Sequence, residues 1–157
     1  MSDIPEYTNL ELYCKATECG IGDKLYCSTL IGDLQEAAER GSYDMGFGTD
    51  LLKTNELCWI ILKMRLNLVE LPSWHDTFKI RTWGNYIDKF YFGRDFEIFS
   101  SDGRLIGRAS CHGGSNLKPF STNFPLSSLL FIGLFALDNP YSSVVTGITF
   151  VFNPYCL

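Results

Sequence analysis

Hydrophobic and polar positions alternate most strictly over residues 57–71. Ile60, Leu62, Met64, Leu66 and Leu68 interleave with Ile61, Lys63, Arg65, Asn67 and Val69. A period of two puts one set on a core and the other on an open face, so the segment predicts a long strand, ended by Pro72. The pattern returns at Thr77–Trp83, where Phe78, Ile80 and Thr82 alternate with Lys79, Arg81 and Trp83. Phe90–Phe99 predicts a third strand. Ser100-Ser101-Asp102-Gly103 reads as a hairpin turn, because glycine accepts the positive φ such turns need. Arg104–Ser110 is the returning strand, and Leu10–Thr17 adds one more near the start.

The period changes over Ser28–Gly41. Leu30, Ile31, Leu34, Ala37 and Ala38 fall on one stripe of a helix. Ser28 or Thr29 can cap its start and Gly41 can terminate it. Gly32 costs about 1 kcal/mol against alanine inside a helix. It suggests close approach by a backbone or ligand, beside the simpler account of a tolerated glycine. Gly46–Asn55 reads as a turn and a short helix. One apolar helix followed by a meander of long strands gives an α+β class, with an antiparallel β-sheet wrapped around a central helix.

Composition narrows the function classes. The 157 residues, 46% hydrophobic, suit one domain with a real core. A formal charge of -5 argues against nucleic acid or an anionic membrane as general partners, while leaving room for a local basic patch. The cysteines, at 14, 19, 27, 58, 111 and 156, form no C-x-x-C pair and have no histidine cluster, so no metal site is expected. The first residues have neither a basic start nor an apolar stretch, so a secretion signal is not expected. Reduced thiols in a cytoplasmic protein are the simplest reading.

Charge is distributed unevenly. All 13 Lys and Arg residues and 17 of the 18 acids lie in 1–118, and Asp138 is the single charge beyond. A domain surface is rarely so bare. Three readings compete for this tail: a membrane anchor, an apolar subdomain, or sequence from a reading-frame change or truncated gene. The run Leu129–Leu137 is short for a span, which disfavours the first. The division expected is a domain over 1–112 and an apolar tail over 113–157.

The ordered part resembles a known family. The succession is Glu18-Cys-Gly-Ile-Gly22, Leu34-Gln-Glu-Ala-Ala38, Cys58-Trp-Ile-Ile-Leu62, Glu70-Leu-Pro72, Arg81-Thr-Trp83, Gly93-Arg-Asp-Phe-Glu-Ile98 and Asp102-Gly103. Together these resemble the first half of the acyl-acyl carrier protein thioesterases, over about residues 7–111. The resemblance implies a hotdog fold, two such halves in a complete chain, and hydrolysis of a fatty acyl thioester in fatty acid biosynthesis. It implies no cofactor, since the phosphopantetheine arm arrives with the carrier protein. The family's hydrolytic Asp-x-Asn-x-His run belongs to the second half and does not occur here. The resemblance stops where the composition changes, which favours the frame-change or truncation reading of the tail.

Candidate residues follow. Glu36 and, more weakly, Asp33 on the helix are the candidates for a base, against the plainer role of solvated helix carboxylates. Leu34, Ala37, Ala38, Ile60, Leu62 and Met64 are core positions that, by the resemblance, also line the acyl channel. The small residues Ala37, Ala38 and Gly41 would leave room for it. Lys63, Arg65, Lys79 and Arg81 are either an ordinary charged sheet face or a patch that meets the acidic carrier protein. Trp59 and Trp83 point outward and suggest a join to a second hotdog half or a homodimer partner. His75 reads as a loop residue, and His112 points away from Cys111 on an extended strand. A non-catalytic acyl-binding or assembly module is the alternative function. A dehydratase is disfavoured because no histidine lies near the helix.

Overall fold

The computed structural model describes residues 7–46, 48, 50, 60–88, 91–114 and 147–152. Strand β1 (Thr8–Tyr13) leads through a 3-10 turn (Ala16–Glu18) to helix α1 (Cys27–Asp44). Strands β2 (Ile60–Leu68), β3 (Thr77–Asp88), β4 (Tyr91–Ser100), β5 (Leu105–Gly114) and β6 (Gly147–Phe152) follow. They form one sheet in the order β1-β3-β4-β5-β2-β6. The first five pair antiparallel, and β6 lies parallel to β2 with Lys63 opposite Gly147 and Leu68 opposite Phe152. The tail thus contributes a strand, and the sheet is not antiparallel throughout.

The helix forms where the apolar stripe lies, and that stripe is what buries it. Leu30, Ile31, Leu34 and Ala37 are fully buried, each of the three larger ones contributing about 1.5–3 kcal/mol by leaving water. They pack with Met64, Leu66, Phe78, Ile80, Phe96, Ile98 and Ile106 from the inner face of the sheet. The helix begins one residue before Ser28 and has no side-chain cap; Tyr26 stands at its N-cap position. It also runs past Gly41 to Asp44, because Gly41 sits on the buried stripe and its backbone is helical. The chain turns instead at Gly46, which has φ +80°.

The strands hold their expected order with changed bounds, β3 running on to Asp88 and β5 to Gly114. β1 spans Thr8–Tyr13 rather than 10–17, since residues 16–18 are drawn into the 3-10 turn by Glu18 N–H donating to the Lys15 carbonyl (3.0 Å). β2 contains a bulge between Ile61 and Lys63. The extra residue shifts the alternation, so Ile61 packs against the core, and Leu62 is half-buried outside that cluster. The hairpin turn forms as expected, with Gly103 at φ +83° and Ser100 N–H donating to the Arg104 carbonyl (2.9 Å). The short helix expected over Gly46–Asn55 lies almost wholly outside the described residues, as does Trp59.

Candidate functional site

The N-terminal half of α1 carries a half-buried carboxylate, Asp33. Burial, then the nearby Glu18 carboxylate, pushes its pKa up to about 6, with Lys15 opposing and Glu36 adding to the rise. Lys15 cannot fully compensate because it is committed to Glu18: their ion pair is 2.9 Å long, and the Lys15 N–H also donates to Glu18 (3.3 Å). Desolvation and a like charge both disfavour the ionised form. A carboxyl poised near neutrality can move a proton, which is what a general base requires. Glu36 is exposed. The sequence placed Asp33 behind Glu36 as a candidate base, whereas in the structure Asp33 is the half-buried one of the two.

The other end of the helix meets a buried cation that the sequence reading passed over. Arg94 is 5% exposed. Its Nη2 donates to Ser42 Oγ (3.2 Å) and its Nη1 to Thr82 Oγ1 (3.4 Å). Both hydroxyls already donate elsewhere, to the Ala38 and Asp95 carbonyls. Burial lowers the Arg94 pKa, while Cys111 and Glu39 oppose that fall. A Cβ placed on Gly41 would come within 2.8 Å of Nη1. The space beside Gly41, assigned from sequence to an acyl chain, is therefore filled by this guanidinium. Gly32 shows the reverse: nothing lies within 4 Å of where its Cβ would be, so it is the tolerated glycine. The clue to Arg94 was present, since the alternation that sets Asp95 and Glu97 outward sets Arg94 inward with Phe96 and Ile98.

Of the six channel candidates, Leu34, Ala37 and Met64 lie in the closed core, each at most 1% exposed. Ala38 is half-buried against that core. Leu62 stands at the bulge, so the inward position expected for it belongs to Ile61. Ile60 opens β2, and its side chain lies outside the described structure. A shallow cavity of about 200 Å³ lies elsewhere, lined by Glu70, Pro72, Asp76, Phe78, Asp102 and Arg104. Glu70 and Arg104 pair across it at 2.9 Å, and on the same rim Ser100 Oγ donates to Asp102 Oδ1.

The outer face of the sheet splits the basic residues into two kinds. Arg81 is tied to Glu97 at 3.9 Å and stacks over Tyr7 and Phe99, while Lys79 lies over Phe99. Arg108 reaches the same Glu97 at 3.4 Å. Lys63 and Arg65 on β2 are exposed, and no acidic side chain pairs with them among the described residues. Trp83, expected outside, is half-buried beside Asp95.

The histidines sit against tyrosines. His75, at φ +73°, is 2.6 Å from the Tyr13 hydroxyl through Nδ1 and stacks on Trp74. His112 lies on β5, exposed, 2.9 Å from the Tyr86 hydroxyl. Its neighbour Cys111 is buried on the opposite face, as the strand period predicts.

A single helix enclosed by a curled sheet in this strand order is the hotdog fold, and solved structures share it. An acyl-ACP thioesterase from Bacteroides thetaiotaomicron superposes with a TM-score of 0.69 at 22% identity, over 73% of this chain and 47% of that one. A DHNA-CoA thioesterase from Staphylococcus aureus gives 0.68 at 15% identity, over 92% of this chain and 98% of that one. The architecture therefore serves both as half of a longer chain and as nearly the whole of a short one.

Sequence comparison carries the assignment further. The family model described as the acyl-ACP thioesterase N-terminal domain matches residues 8–112, a span that takes in α1 and nearly all of the five antiparallel strands. The chain belongs to that family. A chloroplastic acyl-[acyl-carrier-protein] hydrolase from Cuphea viscosissima is 29% identical over 103 residues, 61% of this chain. The chain spans about a quarter of that relative's length (25%). The relative's plastid designation gives no support to the cytoplasmic placement expected from the thiols. No helix among the described residues is long and apolar enough to cross a membrane.

Proposed function

We propose that this chain is the substrate-recognition half of a fatty acyl-acyl carrier protein thioesterase. The observation that carries the reading is the family match over residues 8–112, which takes in the helix and nearly all of the five antiparallel strands. In the reaction, water attacks the thioester carbonyl. The carbon–sulfur bond breaks, the phosphopantetheine thiol leaves with a proton, and free fatty acid departs. The chemistry draws on no metal or redox cofactor. The inner layer at Leu34, Ala37, Ala38, Ile60, Leu62 and Met64 would receive the acyl chain once it loosens. The exposed Lys63 and Arg65 would meet the acidic carrier protein, with Lys79 and Arg81 contributing less because aromatic rings and Glu97 already engage them.

Hydrolysis by this unit alone is expected to be slight. Both histidines rest on tyrosines rather than on a carboxylate, and among the described residues the half-buried Asp33 is the candidate this reading takes for moving a proton. The test is incubation of the purified 157-residue chain with medium- and long-chain acyl carrier proteins, following binding and thiol release separately. Binding with little thiol release is the expected result. It is also what a non-catalytic acyl-binding module would give, so restoration of turnover by adding a second hotdog half separates the two. Absence of binding would overturn the proposal. Thiol release at the rate of an intact thioesterase, lost in Asp33→Asn, would move catalysis into this half. Reversing Lys63 and Arg65 to Glu is expected to slow carrier association about tenfold at low salt, with the difference shrinking as salt rises.

A further inference from the structure

Two thiols lie in contact beside the helix start. Cys14 follows β1 and Cys19 follows the 3-10 turn, and their Sγ atoms are 3.2 Å apart. Cys14 is fully buried and Cys19 is half-buried. The backbone on both sides is fixed. Cys14 N–H donates to the Asp76 carbonyl (2.9 Å) and its carbonyl accepts from His75 (3.2 Å), while Cys19 N–H donates to the Ala16 carbonyl (3.3 Å). A disulfide has an S–S length of about 2.05 Å, so the sulfurs need close by only about 1 Å, within reach of side-chain rotation. Among the described residues, Cys27 and Cys111 have no such sulfur neighbour.

We propose that Cys14 and Cys19 form a reversible disulfide, made and broken by exchange with a small disulfide such as oxidised glutathione. Cys19 is the outward sulfur, so it meets the oxidant. It gives up its proton to solvent, attacks one glutathione sulfur and displaces the other half as a thiolate. Cys14 then loses its proton, attacks the Cys19 sulfur and displaces the second glutathione. Two protein thiols are oxidised and one glutathione disulfide is reduced to two thiols. Burial and the Cys19 neighbour push the Cys14 thiol up to about 12, so the second step is the slow one. The closed loop contains Lys15 and Glu18, the charged pair whose fields act on Asp33. Oxidation therefore fixes the electrostatic surroundings of the helix carboxylate. The inference is independent of the thioesterase reading.

The test uses the full chain equilibrated with oxidised glutathione, acid-quenched, alkylated and digested with trypsin. Cleavage after Lys15 and Lys24 puts Cys14 in peptide 1–15 and Cys19 in peptide 16–24, so the bond joins two separable peptides. The expected result is that linked pair as the main oxidised product. It should be split by dithiothreitol, lost in Cys19→Ser and retained in Cys27→Ser. Amide exchange over residues 15–20 should slow several-fold on oxidation. A Cys19–glutathione adduct that persists while Cys14 stays reduced would overturn the proposal, as would a main oxidised product that joins Cys14 or Cys19 to a different cysteine. Because Cys19 is only half-buried, its serine variant keeps the experiment readable even where Cys14→Ser fails to fold.

Discussion

The two faces of one sheet are built by the same alternation and yet obey different physics. On the inner face, Phe96, Ile98, Ile80 and Met64 are dry and touch the helix, so shape decides their worth. On the outer face, Arg81, Glu97 and Arg108 form a ladder across three strands that solvent still reaches. Arg94 breaks the division: it is a charged residue on the inner face that donates to two hydroxyls and feels the Glu39 charge. The contrast teaches that position on the pleat sets the energetic scale of a side chain more than its chemical type does.

That contrast can be tested from its largest consequence downward. Phe96→Ala removes a ring from the closed core and is expected to cost about 3–5 kcal/mol, read from the denaturant midpoint. A loss under 1 kcal/mol would mean that the helix and sheet are loosely packed. Arg94→Ala should cost about 2 kcal/mol, mostly through lost packing of its stem. Arg94→Met should recover most of that loss, because Ser42 and Thr82 keep their carbonyl acceptors when the guanidinium goes. Failure of Met to rescue would show that the charge itself is required at the helix end.

Asp33 gives a smaller effect with a pH signature. Its folded pKa lies above the ordinary carboxyl value, so the folded state holds the proton more tightly. The contribution of Asp33 to stability should therefore rise as pH falls from above 6 towards 4, and level off below. Asp33→Asn should be more stable than wild type by about 1 kcal/mol at pH 8, after allowing for its partial exposure, and equal to it below pH 4. Parallel melts of both proteins across that range check the sign. Smallest of all, Glu97→Gln should cost about 0.2–1 kcal/mol, with the loss shrinking in high salt, since the two arginines it holds are solvated. A larger, salt-independent loss would place this ladder among the buried interactions.

The sequence by itself determined the order of elements, the helix stripe at Leu30, Ile31, Leu34 and Ala37, and the hairpin at Gly103, because local period and turn chemistry are properties of neighbouring residues. It also carried the family, through short segments whose order matters more than any one of them. Only the tertiary structure decided that Gly41 lies under Arg94, that a bulge turns Ile61 inward in place of Leu62, and that Asp33 rather than Glu36 loses water. It alone brought Cys14 against Cys19 and laid the uncharged tail strand along β2. Those outcomes depend on which surfaces meet and exclude solvent, and desolvation is set by partners distant in the chain, which no local pattern records.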